Sequence, residues 1–439
     1  MRVALVRRRR VIAPFGLDVD ACGLGMDTFG AYRARMLGAL GFVEADVEET
    51  AEDVTVDGPA LVLADDVWIT QRALGGFAKA AALSAAGEAT TSPLPRKDAG
   101  DGATSAPTFR LAGPLRMCLP RSRLLELFLP LQDVDVDAAG RAAFDVGYVP
   151  VGARAKPRDL FGLGPERWCE APYKDVPLDV PVPRYILGRD SGSMRFPLTS
   201  TVAMRIRHWL HVLRAGHLMP QVALLERATA EPVRSVLRTI ASARFTKAQR
   251  MRALRANFAY RGKNTFVHPT ATVEASILGD DVTVGAYSYV TNSVVGDGSV
   301  IEQRAQVSGC SLGPRTFVSL NSSLQACVAF GDTDACINGV QACVIAQRCA
   351  LTSFARPLDL AVDGPVKVED DGKLRDAGEL PCGVAFGPGV FAGADVVIAA
   401  GRAIPAGVRL YVDADRVLRR VPADLKPGKY AVVDGKPLE

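Results

Sequence analysis

Histidine is scarce in this sequence, with four among 439 residues, and the nine cysteines are odd in number and scattered without a Cys-x-x-Cys pair. The cysteine pattern excludes a disulfide framework, which needs even counts in small secreted chains. It also lacks the ligand spacing of a zinc site. No apolar run is long enough to span a bilayer. The net charge of +4 is too small, over this length, to imply nucleic acid or a membrane surface as partner. The one basic run, Arg7 to Arg10, reads as a solvated charge cluster. In "MRVALVRRRRVIAPF" the charges follow the apolar residues, the reverse of a signal peptide, so we expect a cytoplasmic protein.

What remains is an ordinary globular composition, 48% apolar and 23% charged, long enough for two or three domains. The second half has a beat. Aliphatic residues recur at Val267, Val273, Leu278, Val284, Val290, Val295, Ile301, Val307, Leu312, Val318 and Leu324. The steps are six or five residues, so Leu278, Val295 and Leu312 recur every 17. Two steps of six and one of five close a three-sided coil. We read the first residue of each unit as pointing inward, and likewise the fifth, which includes Ile277, Val294, Ser311 and Val328. Glycine, asparagine and aspartate suit the corners, where φ is positive. One coil cannot bury its own apolar side, so coils must stack.

The beat is expected to fail from about Ala329 to Leu351 and to return at Phe386, Ala392, Ile398, Ile404 and Leu410. Arg402 falls on a fifth position, where a bulge or an outward escape is expected. The polar segment between reads as an excursion, about 352–383, with "VKVEDDGKL" as a hairpin turning at Asp371-Gly372.

"FVHPTATVEASILGDDVTVGAYSYV" and "GPGVFAGADVVIAAGRAIPAGV" resemble the hexapeptide repeats of left-handed parallel β-helix proteins. That family includes acyltransferases, γ-class carbonic anhydrases and the C-terminal domains of sugar-nucleotide pyrophosphorylases, so fold leaves function open. The left-handedness is what the resemblance implies, as is a homotrimer formed through the prism.

The first half alternates strand and helix, which predicts an α/β layer. "RVALV" reads as a strand and "DTFGAYRARMLGALGF" as a helix capped by Asp27 or Thr28. "PALVLADDVWIT" reads as one buried strand, followed by a helix. Gly87 to Thr108 reads as a loop, and "VPLDVPVPRYILG" as extended. From about Pro197 to Ala259 the pattern is helical, interrupted at Gly216 and Pro220. The expected organisation is an α/β domain at 1–196, a helical connector at 197–262, an all-β left-handed parallel β-helix at 263–421 and a tail at 422–439.

A helical connector before "HPTATVEASILGDDVTVG" resembles the layout of bacterial sugar-1-phosphate nucleotidyltransferases, and "ALVLADDVWIT" is similar to their strand ending in a metal-holding aspartate. The resemblance implies a nucleoside triphosphate and a sugar phosphate as ligands, with Mg²⁺ held by Asp65 or Asp66. The sequence departs from it after the first strand. The family's Gly-x-Gly-Thr-Arg loop is replaced by "RRRRVIAPFG", and the nearest glycine pair is Gly23 and Gly25, followed by Asp27. A carboxylate there repels a triphosphate. Gly23 and Gly25 are thus either a phosphate loop or a turn before a helix.

Each remaining candidate has two readings. Asp65 and Asp66, at a strand end, can hold Mg²⁺ against a nucleotide or cap the next helix. His208 and His211 share a helical face and, with Arg205, Arg207 and Arg214, form a metal or phosphate site or else pack. His268, in the first coil, is a general base or a structural corner. Cys310 and Cys327, 17 apart, should stack on adjacent coils as small hydrophobes or serve redox chemistry. No histidine lies in a later coil, which weighs against an acyltransferase and a zinc hydratase. Three functions stay open: a divergent sugar-phosphate nucleotidyltransferase, a non-catalytic β-helix scaffold or sensor, and a hexapeptide-repeat acyltransferase.

Overall fold

The structure is a computed structural model. It describes the chain apart from residues 57, 91–112, 162–163, 182–191, 244–255, 257, 336–338, 362–363, 414, 416–420, 423–424, 429, 435 and 439. Most of the expected Gly87–Thr108 loop and the end of "VPLDVPVPRYILG" lie outside the described residues.

The chain has the expected class, an α/β region followed by a long parallel β-helix. In the α/β region the main sheet runs in the order Val43–Glu48, Arg2–Arg7, Ala60–Ala64, Ala142–Val149, Leu115–Leu119, Trp168–Glu170. The first three strands are mutually parallel, and Ala142–Val149 is antiparallel to both its neighbours. Helices α1 (Phe29–Ala39) and α2 (Gln71–Thr90) cross over between strands. Thr28 caps α1, its Oγ1 accepting from Ala31 N. "PALVLADDVWIT" is two strands, not one: Ala60–Ala64 joins the main sheet, and Val67–Ile69 pairs with Ala203–Arg205. The break falls at Asp65 and Asp66.

In the β-helix the predicted inward residues stack. Val284, Ile301 and Val318 lie in register on successive coils and are fully buried. Leu278, Val295 and Leu312 form a second column, and Val290, Val307 and Leu324 a third. The beat does not fail after Ala329. Leu324 pairs with Val340, Ala329 with Ile345 and Ala335 with Leu351, each 16 residues on instead of 17. Ala335 itself follows Val318 by 17, so the coil is one residue short between Ala335 and Val340. A step one residue short shifts the beat without stopping the stack.

The fifth-position reading holds only where the step is six. Where it is five, the fifth residue immediately precedes the next inward one, and strand alternation turns it outward. Ile277, Val294, Ser311 and Val328 therefore face out. Val294 and Val328 are nonetheless buried, because the α/β region covers that side of the prism. Arg402 escapes outward, as expected, its guanidinium 3.5 Å from Lys367 O.

The cover is α4 (Trp209–Ala230), which runs unbroken through Gly216 and Pro220, where an interruption was expected. Proline has no N–H to give the carbonyl four residues back, so Gly216 O is left free in the helix. Ser311 Oγ donates to it at 2.8 Å. A Cβ on Gly216 would lie 2.1 Å from Val328 Cγ2. The glycine and the proline thus form a docking pair for the prism. Helix α5 (Pro232–Ala243) follows after one residue.

The chain stays on the prism through Arg356–Pro357 and then leaves it, later than the expected position 352. The predicted hairpin is present, Lys367–Asp370 with Lys373–Asp376, and Asp371 and Gly372 both have positive φ. It docks back on the α/β region: Val366, Val368, Ala377, Leu380 and Cys382 join that core.

Candidate functional site at the carboxyl end of the central strands

Asp65 and Asp66 stand where the parallel strand Ala60–Ala64 ends, the usual ligand edge of an α/β sheet. Neither faces an open cleft and neither caps α2, which begins at Gln71. The Asp65 carboxylate accepts from the backbone N–H of Arg8 and of Arg9, each at 3.0 Å. It thereby holds the loop that follows the first strand. Burial pushes its carboxyl up, and those two N–H groups oppose the shift. Asp66 is wholly buried and accepts from Arg8 Nη1 at 2.9 Å and Arg205 Nε at 3.1 Å, with Arg10 Nε at 3.5 Å.

Arg8 is the hub. Its Nη1 also reaches Asp145 Oδ2 at 2.7 Å, and its Nε reaches Glu49 at 2.8 Å. Burial works against the Asp145 charge, but Arg8 and then Arg116 outweigh it and hold the carboxyl below the usual range. Arg7 pairs with Asp20, Glu44 and Asp46, and Arg9 with Glu48. The run Arg7 to Arg10 is therefore an ion-pair network and not the solvated cluster expected. The signal was available: "VEADVEE" puts three acids on the strand that pairs in parallel beside it and a fourth, Glu49, directly after it. Arg33 closes the inner side with a bidentate pair to Asp20, both bonds 2.6 Å.

These residues do not fit Mg²⁺. The ion demands several free oxygens in near-octahedral array, and the carboxylate oxygens of Asp65 and Asp66 already accept from arginines or backbone N–H groups. No group of three His, Cys, Asp or Glu side chains suited to a metal occurs among the described residues. The space beside Asp65, lined by Tyr32, Arg33, Trp68 and others, measures about 10 Å³. That admits one water and no nucleotide. A larger open depression of about 500 Å³ lies between α3 (Arg123–Phe128) and residues 137–140. Its Asp137 is already bound to Arg141 at 2.6 Å.

The glycine pair is a packing device, not a phosphate loop. A Cβ on Gly23 would lie 2.5 Å from the Phe330 ring, and one on Gly25 2.9 Å from Val294 Cγ2. Gly25 also has φ +66°, in the turn between Gly23–Leu24 and Asp27–Thr28. Both contacts are with the outer face of the prism.

The histidines are structural fittings, of which His211 alone is fully buried. His208 is the N-cap of α4, its Nδ1 accepting from Leu210 N, and its Nε2 donates to Glu369 O at 3.0 Å. His211 Nδ1 accepts from the N–H groups of Arg207 and His208, and Nε2 donates to Pro130 O at 3.1 Å. His217 Nε2 donates to Ala326 O of the prism at 2.9 Å. Burial pushes His211 and His217 down to about 3, helped by His208 at the first and Arg214 at the second. His208 is lowered too, again chiefly by burial. His268 Nδ1 accepts from Thr270 N and Oγ1, fixing the first corner. Arg207 pairs with Asp133 and Asp370. Arg214, buried, donates to the carbonyls of Ala377, Leu380 and Pro381. His208, Arg207 and Arg214 thus clasp the excursion onto the body, a long-range role that their helical spacing did not show.

Cys310 and Cys327 stack as expected, Cys327 N lying 3.5 Å from Cys310 Sγ. They continue a corner column of Ser276 and Ser293, whose hydroxyls accept the N–H one coil on. Burial drives the Cys310 thiol far above its ordinary value, the condition of an unreactive packing group.

No family model matches this chain, and no curated protein does. Solved structures do resemble it. One, from Bacillus cereus, is described as a "putative acetyltransferase"; it is 13% identical, with 34% of this chain and 76% of that chain covered and a TM-score of 0.12. So loose a superposition decides nothing about chemistry here.

Proposed function

We propose that this protein is a non-catalytic scaffold, in which an α/β domain of nucleotidyltransferase-like layout is fixed to the side of a β-helix. The observation that supports it best is Asp66, fully buried between Arg8 and Arg205. Arginines there supply internally the positive charge that a metal ion would bring from outside. The glycine pair, His208 and His217 are likewise spent on holding the two halves together, and His211 on fixing α4 to Pro130 of the α/β region. The test is calorimetric titration of the whole chain with nucleoside triphosphates and Mg²⁺, with an assay for pyrophosphate release from a sugar phosphate. No heat and no turnover are expected. Mg²⁺-dependent binding that disappears in Asp66→Asn would overturn the reading.

The second reading is a divergent sugar-phosphate nucleotidyltransferase. Its support is the position of Asp65 and Asp66 at the carboxyl edge of the central strands. It requires Arg8 and Arg205 to swing from Asp66 onto the phosphates, and the same titration decides it. A hexapeptide acyltransferase would show acetyl-coenzyme A turnover, and with His268 as its base that turnover would vanish in His268→Ala.

A further inference from the structure

Helix α5 (Pro232–Ala243) is built the wrong way round for a surface helix. Its aliphatic residues Val233, Val236, Leu237 and Ile240 fall at i, i+3, i+4 and i+7, one stripe along the axis. Such a stripe ordinarily faces the core. Here all four are between 58% and 73% exposed. The helix is tethered instead by its polar side, with Ser235 Oγ donating to Ala228 O of α4 at 2.9 Å.

The flank of the stripe is basic. Arg234 is 67% exposed and Arg227, at the end of α4, is 54% exposed; the two share one acid, Glu231, at 3.2 and 2.9 Å, so this cluster keeps a net positive charge. From Pro232 to Ala256 the sequence has seven arginines and lysines and no acid. The overall charge of +4 hides this, because the balancing carboxylates lie elsewhere in the chain.

We propose that α5 lies in the surface of an anionic lipid bilayer, its aliphatic stripe among the acyl chains and its arginines at the headgroups. An amphipathic helix with a basic polar face is the arrangement that binds such a surface. A second copy of this chain fits less well. Four aliphatic residues on a helix about 18 Å long fall far short of the ~1,200 Å² a stable dimer buries, and a second copy would set arginine against arginine. Helix α4, locked to the prism by Gly216 and His217, supplies a rigid mount. The proposal departs from the expectation that a membrane is no partner, which rested on net charge alone.

The test is flotation of the full chain with two vesicle preparations, pure phosphatidylcholine and phosphatidylcholine with about one third phosphatidylglycerol. The chain should float with the anionic vesicles only, and less as salt rises. Leu237→Glu and Ile240→Glu should each weaken binding about tenfold or more, with unchanged circular dichroism and melting. Failure to float with anionic vesicles overturns the proposal. So does equal flotation of the variants, or a wild-type dimer that becomes monomeric in Leu237→Glu, which assigns the stripe to a second copy. The titration that tests the scaffold reading is independent of either outcome.

Discussion

Gly216 O and Ser311 Oγ lie 2.8 Å apart, joining the middle of α4 to the outer face of the prism. The carbonyl is available because residue 220 is proline, and the approach is possible because residue 216 has no Cβ. Ser311→Ala leaves a buried carbonyl unpaired and should destabilise by about 1–3 kcal/mol. In Ser311→Ala with Pro220→Ala, the new N–H at 220 can bond Gly216 O within the helix. The double variant should therefore be more stable than Ser311→Ala alone. Urea unfolding of the wild type, the two single variants Ser311→Ala and Pro220→Ala, and the double variant completes the cycle; strict additivity would contradict it.

The Arg8 network makes a prediction of opposite sign to that for a metal site. In a metal site, Asp66→Asn removes repulsion between carboxylates and often stabilises the ligand-free protein. Here it strips the buried partner of Arg8 and Arg205, and should cost about 3–5 kcal/mol. The thermal midpoint, measured with and without Mg²⁺ and nucleotide, distinguishes the two. A stabilised Asp66→Asn protein would contradict the network.

The prism was legible in the sequence because its cause is local: Val284, Ile301 and Val318 repeat on a period that the covalent chain sets. The sides of the prism were not legible. Val294 and Val328 look like any other aliphatic on the beat, and only distant segments, α4 and the turn at Gly25, explain why they are buried while facing out. The single-residue deletion between Ala335 and Val340 hid the continuing stack for a similar reason, since strand pairing tolerates a shift that a counting rule does not. Asp65 and Asp66 were located correctly at a strand end, but their partners Arg8 and Arg205 come from distant parts of the chain. His208 and His211 showed their spacing and nothing of Glu369 or Pro130.

Arg214 is the buried tie between α4 and the excursion. It is pushed down to about 10 by burial, yet donates to three carbonyls, of Ala377, Leu380 and Pro381. Arg214→Met keeps the packing and leaves those carbonyls unpaired, so about 3 kcal/mol should be lost locally. Hydrogen exchange should accelerate in residues 365–383 and stay slow in the coils around Val284 and Ile301. Uniform acceleration along the chain would show that the excursion is not separately held.

Acid should find the buried imidazoles before most carboxylates. His211 and His217 are pushed down to about 3 in the folded chain, whereas an unfolded histidine titrates near 6.5. Between those values the unfolded chain binds two protons that the folded chain does not. Stability is therefore full above about pH 6.5 and falls as pH drops toward 3. The lowered Asp145 and Asp370 add their loss only below the unfolded aspartate value, while the raised Asp65, Glu226 and Asp359 act with the opposite sign, so the histidine contribution is read as a difference between variants at about pH 5 to 6.5. His217→Gln keeps an N–H to offer Ala326 O and has no proton to bind. Its unfolding free energy should fall less steeply across that window, by up to about 1.4 kcal/mol per pH unit for the one proton removed. Urea unfolding at several pH values measures the slope, and an unchanged slope in His217→Gln would mean that this imidazole is not held neutral by its burial.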